Sequence, residues 1–170
     1  YAPFYRKVKE VLDSGVLGRL ITVMGIENVG YWHQAHSFVR GNWRRSDETS
    51  PMFLAKCCHD MDLMVWLTGK TCLRLSSFGS LAHFRRENAP AGAAQRCLDG
   101  CQAKANCPYD AEKIYITNEK TGVAHGHTGW PCDILSMHPT EASIRQAIQT
   151  GPYGRCVYFC DNDVVDHQVV

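Results

Sequence analysis

The chain has 170 residues, 45% hydrophobic and 21% charged, and a formal net charge of +1 with its eight histidines neutral. Such a chain is long and apolar enough for one globular domain with its own core, and its charge balance gives no reason to expect a nucleic-acid or membrane-surface partner. No apolar run reaches the length of a membrane span and no signal-peptide pattern opens the sequence, so the cytoplasm is the expected compartment. The first residue is Tyr1, and the last residues stop inside an apolar run, so residues 1–170 read as one domain truncated at both ends. Nine cysteines is a high and odd number. Without a secretory signal, free thiols or metal ligands are favoured over a disulfide framework.

In chain order, Phe4, Val8, Val11 and Leu12 form a helical stripe that Gly15 stops at the C′ position. Residues 17–32 are rich in β-branched side chains and read as a strand. Residues 33–51 are polar and aromatic and read as a long loop, with Trp32, Phe38 and Trp43 arguing against disorder. Ser50 as N-cap and Pro51 at the first position launch a helix that ends at Gly69. Its expected buried stripe is Leu54, Cys57, Cys58, Met61 and Val65. Residues 71–84 alternate apolar and polar positions, as a strand with one solvated face does. From about Arg85 to Pro139 no period persists, so this stretch reads as an irregular, Cys-rich excursion. Thr140 and Gly151 bracket a short helix, and residues 155–170 read as two strands joined by a turn at Asp161–Asp163. The fold class expected is α+β: an open, largely antiparallel mixed sheet with helices on one face. No glycine-rich phosphate loop follows a strand, so a Rossmann domain is absent from the chain.

Within the helix, His59 and Asp62 are three residues apart and share a face. Asp62 would fix the tautomer of His59 and leave the second ring nitrogen as a base or donor. The plainer alternative is a half-buried histidine held by a local acid. In the preceding loop, His33, His36, Arg40, Asn42 and Trp43 offer hydroxyl-reading polar groups and an aromatic face suited to a sugar or polyol. A surface loop pinned by aromatic anchors is the alternative there. Cys97, Cys101 and Cys107 form Cys-x3-Cys with a third thiol six residues on, a pattern able to hold Zn or an Fe–S cluster. Cys132, His125 or His127 would supply a fourth ligand, while ordinary buried or free thiols explain the same residues without one. The acids at Asp161, Asp163 and Asp166 lack EF-hand spacing and read as turn chemistry.

The stretch Ser50–Gly69, "SPMFLAKCCHDMDLMVWLTG", resembles the helix of the Gfo/Idh/MocA oxidoreductases, the family of glucose–fructose oxidoreductase and the inositol dehydrogenases. The family pattern Asp-x-Gly-x-His-x-x-Asp-Leu, closed by Trp-Leu-x-Gly, places its histidine on His59, its Asp-Leu on Asp62-Leu63 and its close on Trp66–Gly69. The opening residues 1–23 and the closing residues 151–170 resemble the family's C-terminal domain as well. Ala55 stands on the family's first aspartate and Cys57 on its glycine. Ala55 carries no charge, and in a continuous helix Lys56 points about 100° away from it, a poor substitute. The resemblance implies a catalytic pair of His59 and Asp62, NAD or NADP held mainly by a separate nucleotide domain, a carbohydrate substrate, and a homo-oligomer formed through the sheet face. Some relatives are NAD-dependent glycosidases that oxidise a sugar transiently, eliminate and reduce again. A non-catalytic binding or oligomerisation module is the remaining alternative.

Overall fold

A computed structural model describes residues 1–170. It is an α+β chain: helices α1 (Pro3–Asp13), α2 (Tyr31–His33), α3 (Met52–Ala55), α4 (Cys58–Thr68), α5 (Cys132–Leu135) and α6 (Glu141–Thr150), with strands β1 (Phe78–Ser80) and β2 (His167–Val169). The two strands pair antiparallel, with Gly79 opposite Gln168. No helix is long and apolar enough to cross a membrane.

Helix α1 ends as its sequence predicts. Gly15 follows the C-cap with φ of 74°, a left-handed conformation that costs glycine little. Val8, Val11 and Leu12 are half-buried while Phe4 stays 70% exposed. Helix α1 lies against α4, where the Tyr1 ring stacks on Trp66 at 3.9 Å and Lys9 Nζ reaches the Leu67 carbonyl. Helix α6 also keeps its expected bounds. The Thr140 hydroxyl accepts from the Ser143 N–H at 3.1 Å, and the Ser143 hydroxyl accepts from the Thr140 N–H at 2.9 Å, a reciprocal cap. Ile144 and Ile148, one turn apart, are fully buried.

The expected strands are largely replaced by extended chain. Residues 19–29 carry no regular structure, and Ile21, Met24 and Ile26 lie exposed. β-branched composition favours an extended backbone, but a strand exists only where a neighbour accepts its ladder hydrogen bonds. Of residues 71–84 only β1 pairs, and of the hairpin expected over 155–170 only β2 forms, paired with β1 and not with a strand before the turn. There, side chains hold the chain instead. Asp161 binds Arg44 and Arg155, and Asp163 accepts from the Ser46 N–H at 2.7 Å.

The expected single helix over 51–69 is two. Pro51, not Ser50, occupies the N-cap position, and the chain breaks between Ala55 and Cys58. The stripe expected to be buried is not: Leu54 is 58% and Val65 48% exposed, and Met52 is the side chain that enters the core. Gly69, with φ of 63°, ends α4 as expected.

The Cys-rich excursion is irregular in backbone but central in packing. Cys97, Ala111, Ile114, Tyr115, Ile116 and Cys132 come from it and join Ile144 and Ile148 in the largest buried cluster. A second cluster joins Ala35 and Val39 to Phe84, Cys156, Val157 and Tyr158. Between the two runs a π-helical stretch, Gln34–Arg40, continuous with α2 and buried at every residue. Truncating Ile148 to Ala should lower unfolding free energy by about 2–5 kcal/mol in urea titrations. Truncating Leu73, which is 90% exposed, should change it by less than about 0.5 kcal/mol.

Candidate functional site

The candidate site lies at the break between α3 and α4. Lys56 has φ −123° and ψ −46°, and Cys57 has φ −87° and ψ 4°, so the axis turns between α3 and α4. Lys56, His59 and Asp60 are three and four residues apart, a spacing that keeps them on one side of the chain across this turn. Lys56 and His59 line one cavity of about 340 Å³, together with Tyr1, Tyr5, Glu27, Asp60 and Asp62. Lys56 Nζ pairs with Glu27 Oε1 at 3.0 Å across its wall.

His59 is exposed to this cavity. The histidine rings engaged in hydrogen bonds are those of His36, His83, His127 and His167, so both nitrogens of His59 remain free for a ligand. Asp62 lines the same wall without clamping His59, contrary to the expected tautomer-fixing pair. Its carboxylate faces the Tyr1 hydroxyl instead and raises the pKa of that phenol, chiefly because the hydrogen bond it accepts holds the phenol proton and also because it would repel a phenolate. The result is an unclamped imidazole among two carboxylates, a carboxylate-held ammonium and two phenols. Such a set can exchange a proton with a substrate hydroxyl.

The loop candidates divide. His33 is half-buried, and its pKa is lowered by burial and by the Lys56 ammonium, with Glu27 acting against both. His33 thus feels the charges of the Lys56–Glu27 pair but does not itself line the cavity. Asn42 and Trp43 are exposed but do not line the cavity. His36 and Arg40 are corrected outright as substrate-binding residues. They are 2% and 1% exposed, because the π-helical stretch turns both into the core. His36 stacks on Tyr153 at 4.7 Å and its Nδ1 meets the Tyr115 hydroxyl at 2.9 Å.

The metal reading is also corrected. No three histidine, cysteine or acidic side chains gather in a way that could hold an ion, so Cys97, Cys101 and Cys107 do not form a Zn or Fe–S site. Two of the three proposed fourth ligands, Cys132 and His127, are engaged elsewhere. The buried Cys132 thiol donates to the Thr121 carbonyl at 3.2 Å, and His127 Nε2 meets the Glu119 carbonyl at 2.7 Å.

Reasoning from sequence missed Tyr1, Tyr5, Glu27, Lys56 and Asp60 as cavity residues. One signal was present: Glu27 is the sole acid in the apolar stretch 17–32. Trp130 was missed too, its ring 4.9 Å from His33 and 5.1 Å from Trp32.

The profile of the GFO/IDH/MocA C-terminal domain matches residues 5–130. The chain belongs to this family. A Bacillus subtilis (strain 168) protein named "Putative oxidoreductase YteT" is 29% identical over 113 residues, covering 64% of this chain. The chain corresponds to 26% of that relative's length. No solved structure matches. The family is one of oxidoreductases, so the cavity around His59 belongs to a domain of oxidoreductase type.

Burial of His36 gives the fold a pH dependence. Its pKa is lowered to about 4, mainly by burial, from the ordinary 6.5. Between those values the unfolded chain binds more protons, so stability falls as pH drops from about 6.5 to 4, by about 3 kcal/mol. His33, lowered in the same direction, adds to the slope. Urea titrations across this range should show the loss, and His36→Gln should flatten it.

Proposed function

We propose that this chain is the substrate-binding and catalytic domain of an NAD(P)-dependent oxidoreductase acting on a sugar, polyol or related carbohydrate, with His59 as its acid–base residue. The observation that carries the reading is the exposed His59 ring, both nitrogens unengaged, in the wall of a cavity shared with Lys56, Asp60 and Asp62. A histidine packed among aliphatic side chains would have contradicted it. A nicotinamide bound beside that wall would accept hydride from the carbinol carbon.

The chain's own residues supply the proton chemistry. A free ring nitrogen of neutral His59 takes the hydroxyl proton, a task for which an imidazole suits neutral pH. Asp60 and Asp62 add hydrogen-bond acceptors to the same wall. The Lys56–Glu27 pair presents a donor and an acceptor on the same wall, both able to read neighbouring hydroxyls. No glycine-rich phosphate loop occurs in the sequence, so holding the dinucleotide falls to another part of the full-length protein. Phe78 and Val169, on the paired strands, are 76% and 73% exposed, which supports a homo-oligomer through this face.

The test uses the full-length protein with NAD(P)⁺ and panels of polyols, sugars and aryl glycosides, following reduced-cofactor absorbance and aglycone release together. Net cofactor reduction supports the proposal. Aglycone release without it assigns the site to transient oxidation and elimination instead. His59→Ala should lower kcat by about 10²–10⁴-fold. A loss under tenfold with folding intact removes His59 from the mechanism.

A further inference from the structure

The cavity beside His59 has an unequal charge balance. Glu27, Asp60 and Asp62 bring three carboxylates to its wall, and Lys56 is the one ammonium among its lining side chains. Lys56 is already held, with Nζ 3.0 Å from Glu27 Oε1. Asp60 and Asp62 form no ion pair within the chain. Asp62 accepts from the Tyr1 hydroxyl, which leaves most of its acceptor sites open, since an ionised carboxylate offers about four. Asp62 is exposed and Asp60 half-buried, so a ligand in the cavity reaches both. With Glu27 neutralised by Lys56 and His59 working as a neutral imidazole, the charges of Asp60 and Asp62 stand uncompensated.

Two kinds of cation could answer them. A metal ion needs several ligands converging on one point, and no three histidine, cysteine or acidic side chains gather in that way. An organic ammonium demands less, because its three donors can be shared between separate carboxylates. Tyr5, 37% exposed, adds to the same wall an aromatic ring, a group that attracts ammonium ions. The volume of about 340 Å³ lies at the small end of ligand sites, which span roughly 300–1,000 Å³.

We propose that this cavity selects carbohydrates that carry a protonated amine, an amino sugar or amino polyol, over those that carry a carboxylate or phosphate. The inference rests on the catalytic reading above and narrows its substrate class. The ammonium binds Asp60 and Asp62, which leaves the His59 ring for the reacting hydroxyl. A carboxylate or phosphate in the same place meets two like charges, and the one lysine is committed to Glu27.

The test uses the full-length protein bound to NAD(P)H, so that no hydride leaves the sugar. Glucosamine, glucose and glucuronate are each titrated into it by calorimetry at pH 7, and reduction of NAD(P)⁺ by the same three is followed separately. Glucosamine should half-saturate the site at a concentration on the order of tenfold below glucose, with glucuronate weakest. The gap should narrow as salt is raised. In the double variant Asp60→Asn, Asp62→Asn the three concentrations should draw together. Equal concentrations in the unaltered protein, tighter binding of glucuronate, no binding of glucosamine, or a preference that survives the double variant each overturn the inference. Cofactor reduction without amine preference sinks this inference alone. Failure of every sugar to reduce the cofactor counts against the catalytic reading, and the binding order still decides the charge selection.

Discussion

The site depends on one ion pair, Lys56 held to Glu27 at 3.0 Å beside the break between α3 and α4. Neither proline nor glycine stands at the break. Cys57 sits near φ −90° and ψ 0°, a region the backbone tolerates at tight turns, and its carbonyl still accepts from the Met61 N–H at 3.1 Å. The ion pair to Glu27, which comes from an extended segment, gives the turn a tertiary anchor. Lys56, His59 and Asp60, at helical spacing, share one wall with Asp62, and Ala55, which cannot carry charge, does not line it.

Around this wall the chain relies less on regular secondary structure than on buried contacts between irregular segments. The two-stranded sheet contributes little burial, with Phe78, Gly79 and Ser80 all exposed. Cohesion comes from the π-helical stretch lodged between two apolar clusters and from charged side chains that reach across to distant backbone. Asp166 illustrates the second device. Its carboxylate accepts from the N–H groups of Ala82, His83 and Phe84, which fixes the turn after β1. The same bonds, with His167 beside them, lower its pKa against the effect of burial.

How much of this was legible in the sequence follows from the range of the interactions. Helices α1 and α6 were legible because their stops and caps are local: Gly15, and Thr140 with Ser143. The family was legible in Trp66–Gly69 and in the spacing of His59 and Asp62, since a motif survives even where its helix breaks. The strand expected over 17–32 was not formed, because β-branched composition reports local preference and not the presence of a neighbour. The inward turn of His36 and Arg40 was hidden for a similar reason. Their polarity suggested a binding loop, whereas Tyr115, Tyr153 and Tyr109, which receive them, lie far along the chain. The cysteine spacing suggested a ligand set, yet Cys97 and Cys132 serve as small buried side chains, a common use of free cysteine.

The central claim is that the His59 ring stands free at a wall where cofactor and carbohydrate meet. Carbethoxylation of the full-length protein by diethyl pyrocarbonate, mapped residue by residue by mass spectrometry, tests it most directly. The account predicts rapid modification of His59, suppressed when NAD(P)⁺ and a carbohydrate ligand are both present, with the buried His36 unreactive throughout. Slow modification of His59, or a rate that ligands leave unchanged, would contradict it.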